Sequence, residues 1–189
     1  RVIAAGAVLG VHPFDQPDVQ LAKSLANEAM TEGLDGLAVQ EWSLDSPEIT
    51  EQLKALLSSA EPGGYVALQA YLEPTRVTVQ RLNAIADVVA DGTGAVVTIG
   101  YGPRFLHSTG QFHKGGFTGG VFLQIVDRSA GDLDVPEADY TFGELITAQS
   151  AGDQAALKDC GRPVGMVDLG KDGAAGLPRL KDAISAALV

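Results

Sequence analysis

Four short apolar runs punctuate the chain: YVALQAYL (65–72), GAVVTIGYG (94–102), GVFLQIV (120–126) and RPVGMVDLG (162–170). Each has the length of a strand and is apolar on both faces, the pattern of strands covered from both sides. Helical periods separate them. PTRVTVQRLNAIADVVADG (74–92) places Val79, Leu82, Ala86 and Val89 on one face. TFGELITAQSAGDQAALKDCG (141–161) and AGLPRLKDAISAALV (175–189) read as two more helices. Upstream, residues 1–11 read as the end of a buried, Ala-rich helix. A second helix has Pro17 at its first position and Gly33 after its end. Residues 34–45 show no firm period and read as a connector, and SPEITEQLKALLSSA (46–60) reads as a short helix with Ser46 as cap and Pro47 at its first position. Apolar strands alternating with helices predict an α/β fold, a mostly parallel sheet with helices on both faces. Helical segments precede it, so the division is a helical segment over 1–60 and an α/β domain over 61–189.

Composition narrows the function classes. Apolar residues make up 46% and charged residues 20%, an ordinary globular balance for one domain or a domain plus an appendage. A net charge of −11 argues against nucleic acid or an anionic membrane as partner. Cys160 is the sole cysteine, which leaves no disulfide framework or cysteine metal cluster and points to a reducing, cytoplasmic setting. No apolar run approaches the roughly 20 residues of a membrane span. The opening RVIAAGAVLGV lacks an initiator Met, an extended basic region and a small-residue cleavage site, so it reads as a chain beginning inside a helix, as a fragment would.

Charge patterning isolates one stretch. No carboxylate occurs between Asp91 and Asp127, and YGPRFLHSTGQFHKGG (101–116) holds Arg104, His107, His113 and Lys114. Read as a glycine-rich loop over 101–119, leaving the second apolar strand at its carboxyl end, it lies where ligands of open α/β sheets gather. Ser108, Thr109 and Gln111 add neutral donors, and Arg104 and Lys114 add positive charge, so a phosphate or sugar phosphate is the expected guest. His107 or His113 can supply a proton-transfer group near neutral pH. A purely structural loop is the competing reading. Two histidines six apart, without cysteine or a local carboxylate, do not make a zinc site. Neither a P-loop ending nor a Gly-x-Gly-x-x-Gly fingerprint is present.

A second candidate is FDQPDVQLAK (14–23), in which Gln16 and Lys23 lie two helical turns apart on one face, with Gln20 between them. This segment resembles the carboxyl-terminal signature of glucose-6-phosphate isomerases, Phe-Asp-Gln-x-Gly-Val-Glu-x-x-Lys. Phe14, Asp15, Gln16, Val19 and Lys23 match, while Asp18 stands for Gly and Gln20 for Glu. The family usually ends soon after this lysine, whereas residues 24–189 follow it here. YGPRFLHSTGQFHKGG, GVFLQI and YTFGELITAQSAGD look like the extended tail of bifunctional transaldolase–phosphoglucose isomerase proteins.

The resemblance implies a Rossmann-like fold of the sugar-isomerase type. It implies the interconversion of glucose 6-phosphate and fructose 6-phosphate through an enediol, in glycolysis, gluconeogenesis and the pentose phosphate pathway. Lys23 then assists ring opening and Gln16 orients the substrate, with no metal or organic cofactor called for. The family's base, a glutamate, and its Ser/Thr phosphate loop lie upstream of the signature. The chain by itself is therefore expected to be inactive, with an upstream isomerase domain, and a transaldolase half before it, as partners. A homo-oligomer is compatible with this reading. The alternatives are a non-catalytic α/β module that binds a sugar phosphate or docks two domains, and a subunit-contact element.

Overall fold

The computed structural model describes every residue except Gln16, Ala38, Ser129 and Ala130, and omits the side chains of Asp35 and Lys171. In chain order the elements are α1 (Val2–Leu9), α2 (Pro17–Glu32), β1 (Glu41–Ser43), α3 (Ile49–Leu57), β2 (Tyr65–Tyr71), α4 (Arg76–Thr93), β3 (Val96–Tyr101), α5 (Ser108–Gly115), β4 (Gly120–Val126), α6 (Phe142–Asp159), β5 (Val164–Asp168) and α7 (Leu177–Ala187). The five strands form one parallel sheet in the order β1-β5-β4-β2-β3. This is a Rossmann-like α/β architecture.

Alternation along the strands sorts the core into two layers. Val66, Leu68 and Ala70 of β2 and Val121, Leu123 and Ile125 of β4 join α3, α4 and α7 in the larger apolar cluster. The other face of the sheet packs against α5 and α6, and α2 packs on those two helices. The in-register pair Gln69 and Gln124 on this sheet face is fully buried between Ala67, Tyr71, Phe122 and Val126.

Several sequence expectations change. Residues 34–45 are not merely a connector: they hold β1, too short at three residues to show a period. Trp42 of β1 lies across Gly165, where a Cβ would stand 2.2 Å from the indole. Gln154 clamps the backbone of Gln40 through bonds of 2.7 and 2.9 Å, and Arg128 binds Glu41 at 2.6 Å. Residues 1–11 do form a helix over Val2–Leu9, but only Gly6 of α1 is buried and Val8 is 87% exposed. The third helix begins at Ile49 rather than Pro47. Ser46 forms the turn before it, its hydroxyl accepting from the Glu48 N–H at 3.2 Å. In α4 the inward face is Thr78, Leu82, Ile85 and Val89, while Val79 is exposed. Residues 17–60, grouped ahead of the α/β domain by sequence, pack into it: α2 against α6, α3 against α7, and β1 beside β5.

The α2–α6 seam is built on small residues, with Ala22, Ala26 and Ala29 facing Ala148, Ala151, Gly152 and Ala155. A Cβ on Gly152 would lie 2.6 Å from the Ala26 nitrogen and 2.9 Å from the Ala22 carbonyl oxygen, both backbone atoms that cannot rotate away. Gly152→Val is therefore expected to cost about 1–3 kcal/mol by overpacking. A thermal melt checks it, and an unchanged midpoint would mean that the two helices part freely.

Topology leaves one opening. From β2 the chain runs outward through α4 to β3, then returns across β2 to β4. The elements after β2 and β4 diverge to opposite faces, the arrangement that leaves a crevice at the carboxyl ends of adjacent strands.

Candidate functional site

The carboxylate-free stretch is a helix rather than an open loop. A 3-10 turn at Arg104–Leu106 leads directly into α5. Its backbone amides turn to the helix's own carbonyls, as where Gln111 donates to the His107 carbonyl and Gly116 to that of Phe112.

Folding splits the sequence candidates into two groups. Lys114 is fully buried and its ammonium bonds Asp153 of α6, itself fully buried and held on its second oxygen by Gln124 at 3.0 Å. Burial pushes the Asp153 carboxyl up from its usual range, against the opposing pull of Lys114 and Gln124. His113 is also buried, packed among Tyr65, Phe105 and Phe122, and its Nδ1 meets Gln69 Nε2 at 3.1 Å. Burial, aided by the charge of Lys114, lowers its pKa to about 4. Gln111 donates to Asp18 at 2.6 Å and accepts from the Asp18 backbone N–H at 3.1 Å, tying α5 to the start of α2. These three side chains thus hold the fold together and do not reach an open site. Gln16 lies outside the described residues.

Lys23, Arg104 and His107 have a different fate. Although far apart in sequence, they line one cleft of about 350 Å³ between α2 and the turn that begins α5. All three are exposed, and none of the three side chains has a hydrogen-bond partner among the described residues. The spacing of Val19, Lys23, Ala26 and Met30 turns one stripe of α2 toward the cleft. Leu145 and Gln149 of α6 complete its wall. Ser108 and Thr109 are exposed at the start of α5 but do not line it.

Two polar lining residues were not singled out from sequence. Asn27 sits one turn beyond Lys23, and Gln149 carries a buried carbonyl oxygen without a partner. A buried acceptor of this kind demands a donor, yet nothing local in TAQSAG separates Gln149 from a helix's ordinary polar positions. The cleft combines two cations, an imidazole and two amides with an apolar wall. No carboxylate lines it among the described residues. This inventory suits an anionic, hydroxyl-bearing ligand.

No protein-family model matches the chain, and no curated protein does. Its fold is similar to the crystal structure of a hypothetical protein from Thermus thermophilus, with a TM-score of 0.63 and 14% identity. The match covers 92% of this chain and 44% of the other, so the chain spans under half of that protein's length. At this identity the likeness speaks to the α/β fold alone. Among the described residues no helix is long and apolar enough to cross a membrane.

Proposed function

We propose that this chain is the carboxyl-terminal, substrate-binding portion of a sugar-phosphate isomerase acting on glucose 6-phosphate and fructose 6-phosphate, belonging to a transaldolase–isomerase protein. One observation carries the reading: Lys23, from the signature-like segment, shares a cleft with Arg104 and His107 from the carboxylate-free stretch. Arg104 binds the phosphate, Lys23 stands near the ring oxygen, and His107 offers a proton to it. Ring opening needs a proton donor at that oxygen, and the shift of the carbonyl between C1 and C2 needs a base.

The cleft's described lining contains no carboxylate to act as that base. Its share of the work is therefore binding and proton donation, with the C1–C2 proton transfer assigned to another part of the isomerase. The same lack favours the second reading, a sugar-phosphate-binding module without catalysis. Calorimetric titration with glucose 6-phosphate tests the shared core of both. Lys23→Ala and Arg104→Ala should each weaken binding by about 10- to 100-fold, as expected for a lost charge-assisted contact. The chain alone should not convert fructose 6-phosphate to glucose 6-phosphate. Sugar-phosphate binding that neither substitution changes would sink both readings. Turnover by the chain alone would overturn the assignment of the base elsewhere.

A further inference from the structure

We propose that the free edge of β3, with the uncharged ledge beside it, is a self-association surface. A second copy of this chain docks there across a two-fold axis and joins the two sheets into one. No residue of β3 lines the Lys23 cleft, and the surface stands independently of the sugar-phosphate assignment.

An open sheet has two edges, and this one treats them differently. The β1 edge is three residues long, carries the Glu41–Arg128 ion pair and adjoins the Gln154 clamp on Gln40. Shortness and charge keep a sheet edge from pairing with another chain. β3 has neither protection. It runs Val96–Tyr101 as VVTIGY, rich in β-branched residues and without a charge or a proline. Its strand pairing is with β2 alone. The ladder that ends with the Gly102 N–H on the Ala70 carbonyl turns the backbone groups of Val97, Ile99 and Tyr101 outward.

A ledge widens the edge on the α5 side of the sheet. Val96 and Thr98 turn to that face and are exposed, Val96 by 68%. Tyr65, in register with Val96, stacks with Phe112 at 5.7 Å, and Phe112 is itself 50% exposed. Backbone pairing by itself buries little area, and these side chains supply the apolar contact that a stable interface needs.

Charge selects the occupant. The chain carries 24 Asp and Glu against 13 Lys and Arg, so two copies repel each other in most orientations. Residues 92–103 hold no charged side chain, and the exposed positions Ser108, Thr109 and Phe112 of α5 are uncharged as well. A cationic partner would be drawn to the acidic surface elsewhere, whereas a second copy comes close through a face like this one. The edge is also complementary to itself. With a two-fold axis at Ile99, antiparallel pairing sets Val97 of each copy opposite Tyr101 of the other, and every outward N–H meets a carbonyl. The same arrangement keeps the two Asp91 carboxylates at opposite ends of the seam.

Analytical ultracentrifugation of the whole chain at micromolar concentrations tests the surface and should show a dimer. Thr98 lies beside the axis with its side chain exposed, so Thr98→Asp or Thr98→Lys sets two like charges close together. Each should weaken the dimer about tenfold, and a thermal melt checks that the fold is spared. Mixing the Thr98→Asp and Thr98→Lys proteins should restore association, because the two charges then oppose each other, an outcome that general damage to the fold would not give. Phe112→Ser should also weaken the dimer. Lys23→Ala should leave it unchanged even where it abolishes sugar-phosphate binding, so the two assignments can fail separately. Three results would overturn the proposal: a chain that stays monomeric at high micromolar concentration, a dimer indifferent to both Thr98 substitutions, or a mixture of the two variants that associates no better than either by itself.

Discussion

Lys114→Met is expected to destabilise the protein by about 3–5 kcal/mol, because it strands the carboxylate of Asp153 in the interior. Both side chains are fully buried, and Asp153 then retains Gln124 without a neutralising charge. A domain of this size has about 5–15 kcal/mol of total stability, so the variant would sit close to unfolding. The pair is not thereby a large net stabiliser, since two charges had to leave water to form it. Replacing both partners at once, as Lys114→Met with Asp153→Leu, should recover much of the loss. Urea denaturation of the two single variants and the double variant measures the coupling. A Lys114→Met protein within about 1 kcal/mol of the parent would show that Asp153 is readily protonated or hydrated in the folded state.

Acidification should expose the cost of burying His113. Its pKa falls from an ordinary 6.5 to about 4, with burial as the main cause and Lys114 as the second. Above pH 6.5 the ring is neutral in both folded and unfolded chains, and its contribution to stability is fully present. Between pH 6.5 and 4 the unfolded chain binds a proton that the folded protein refuses, so this contribution is lost as pH falls. The total approaches about 3 kcal/mol below pH 4. Asp153 acts with the opposite sign: its raised pKa lets the folded state take up a proton before the unfolded chain does. Comparison with His113→Phe isolates the histidine, since phenylalanine fits the surrounding aromatic cluster and does not titrate. The variant's stability should fall less steeply from pH 6.5 to 4 than the parent's. Parallel curves would mean that the imidazole protonates in place.

Both predictions concern groups that the sequence displayed without explaining. Gln69 and Gln124 each interrupt an apolar run, a visible sign of a polar group in the interior. Their meaning emerges once β2 and β4 pair in register and set the glutamines side by side. Lys114 has no carboxylate near it in sequence because its partner comes from α6, and Asp18 of α2 serves Gln111 in the same way. The missing carboxylates thus did not mark one continuous anion surface. The stretch holds a helix, α5, whose buried end receives negative charge from its neighbours, and an exposed turn before it that keeps Arg104 and His107 for the cleft.

The chain's hydrophobic periodicity determined the parallel α/β plan: four of its strands, its principal helices, and the need for cover on both faces. Apolar spacing reports which positions avoid water, and it does so within a few residues, so it carries that much by itself. Tertiary structure alone decided that three residues at 41–43 would form an edge strand, that Lys114 would be buried while Lys23 stayed open, and that Lys23 would meet Arg104 across a cleft. Those outcomes depend on how closely α2 can approach α6 over Gly152 and on which strands pair, and the energy of such contacts belongs to residues brought together from distant parts of the chain.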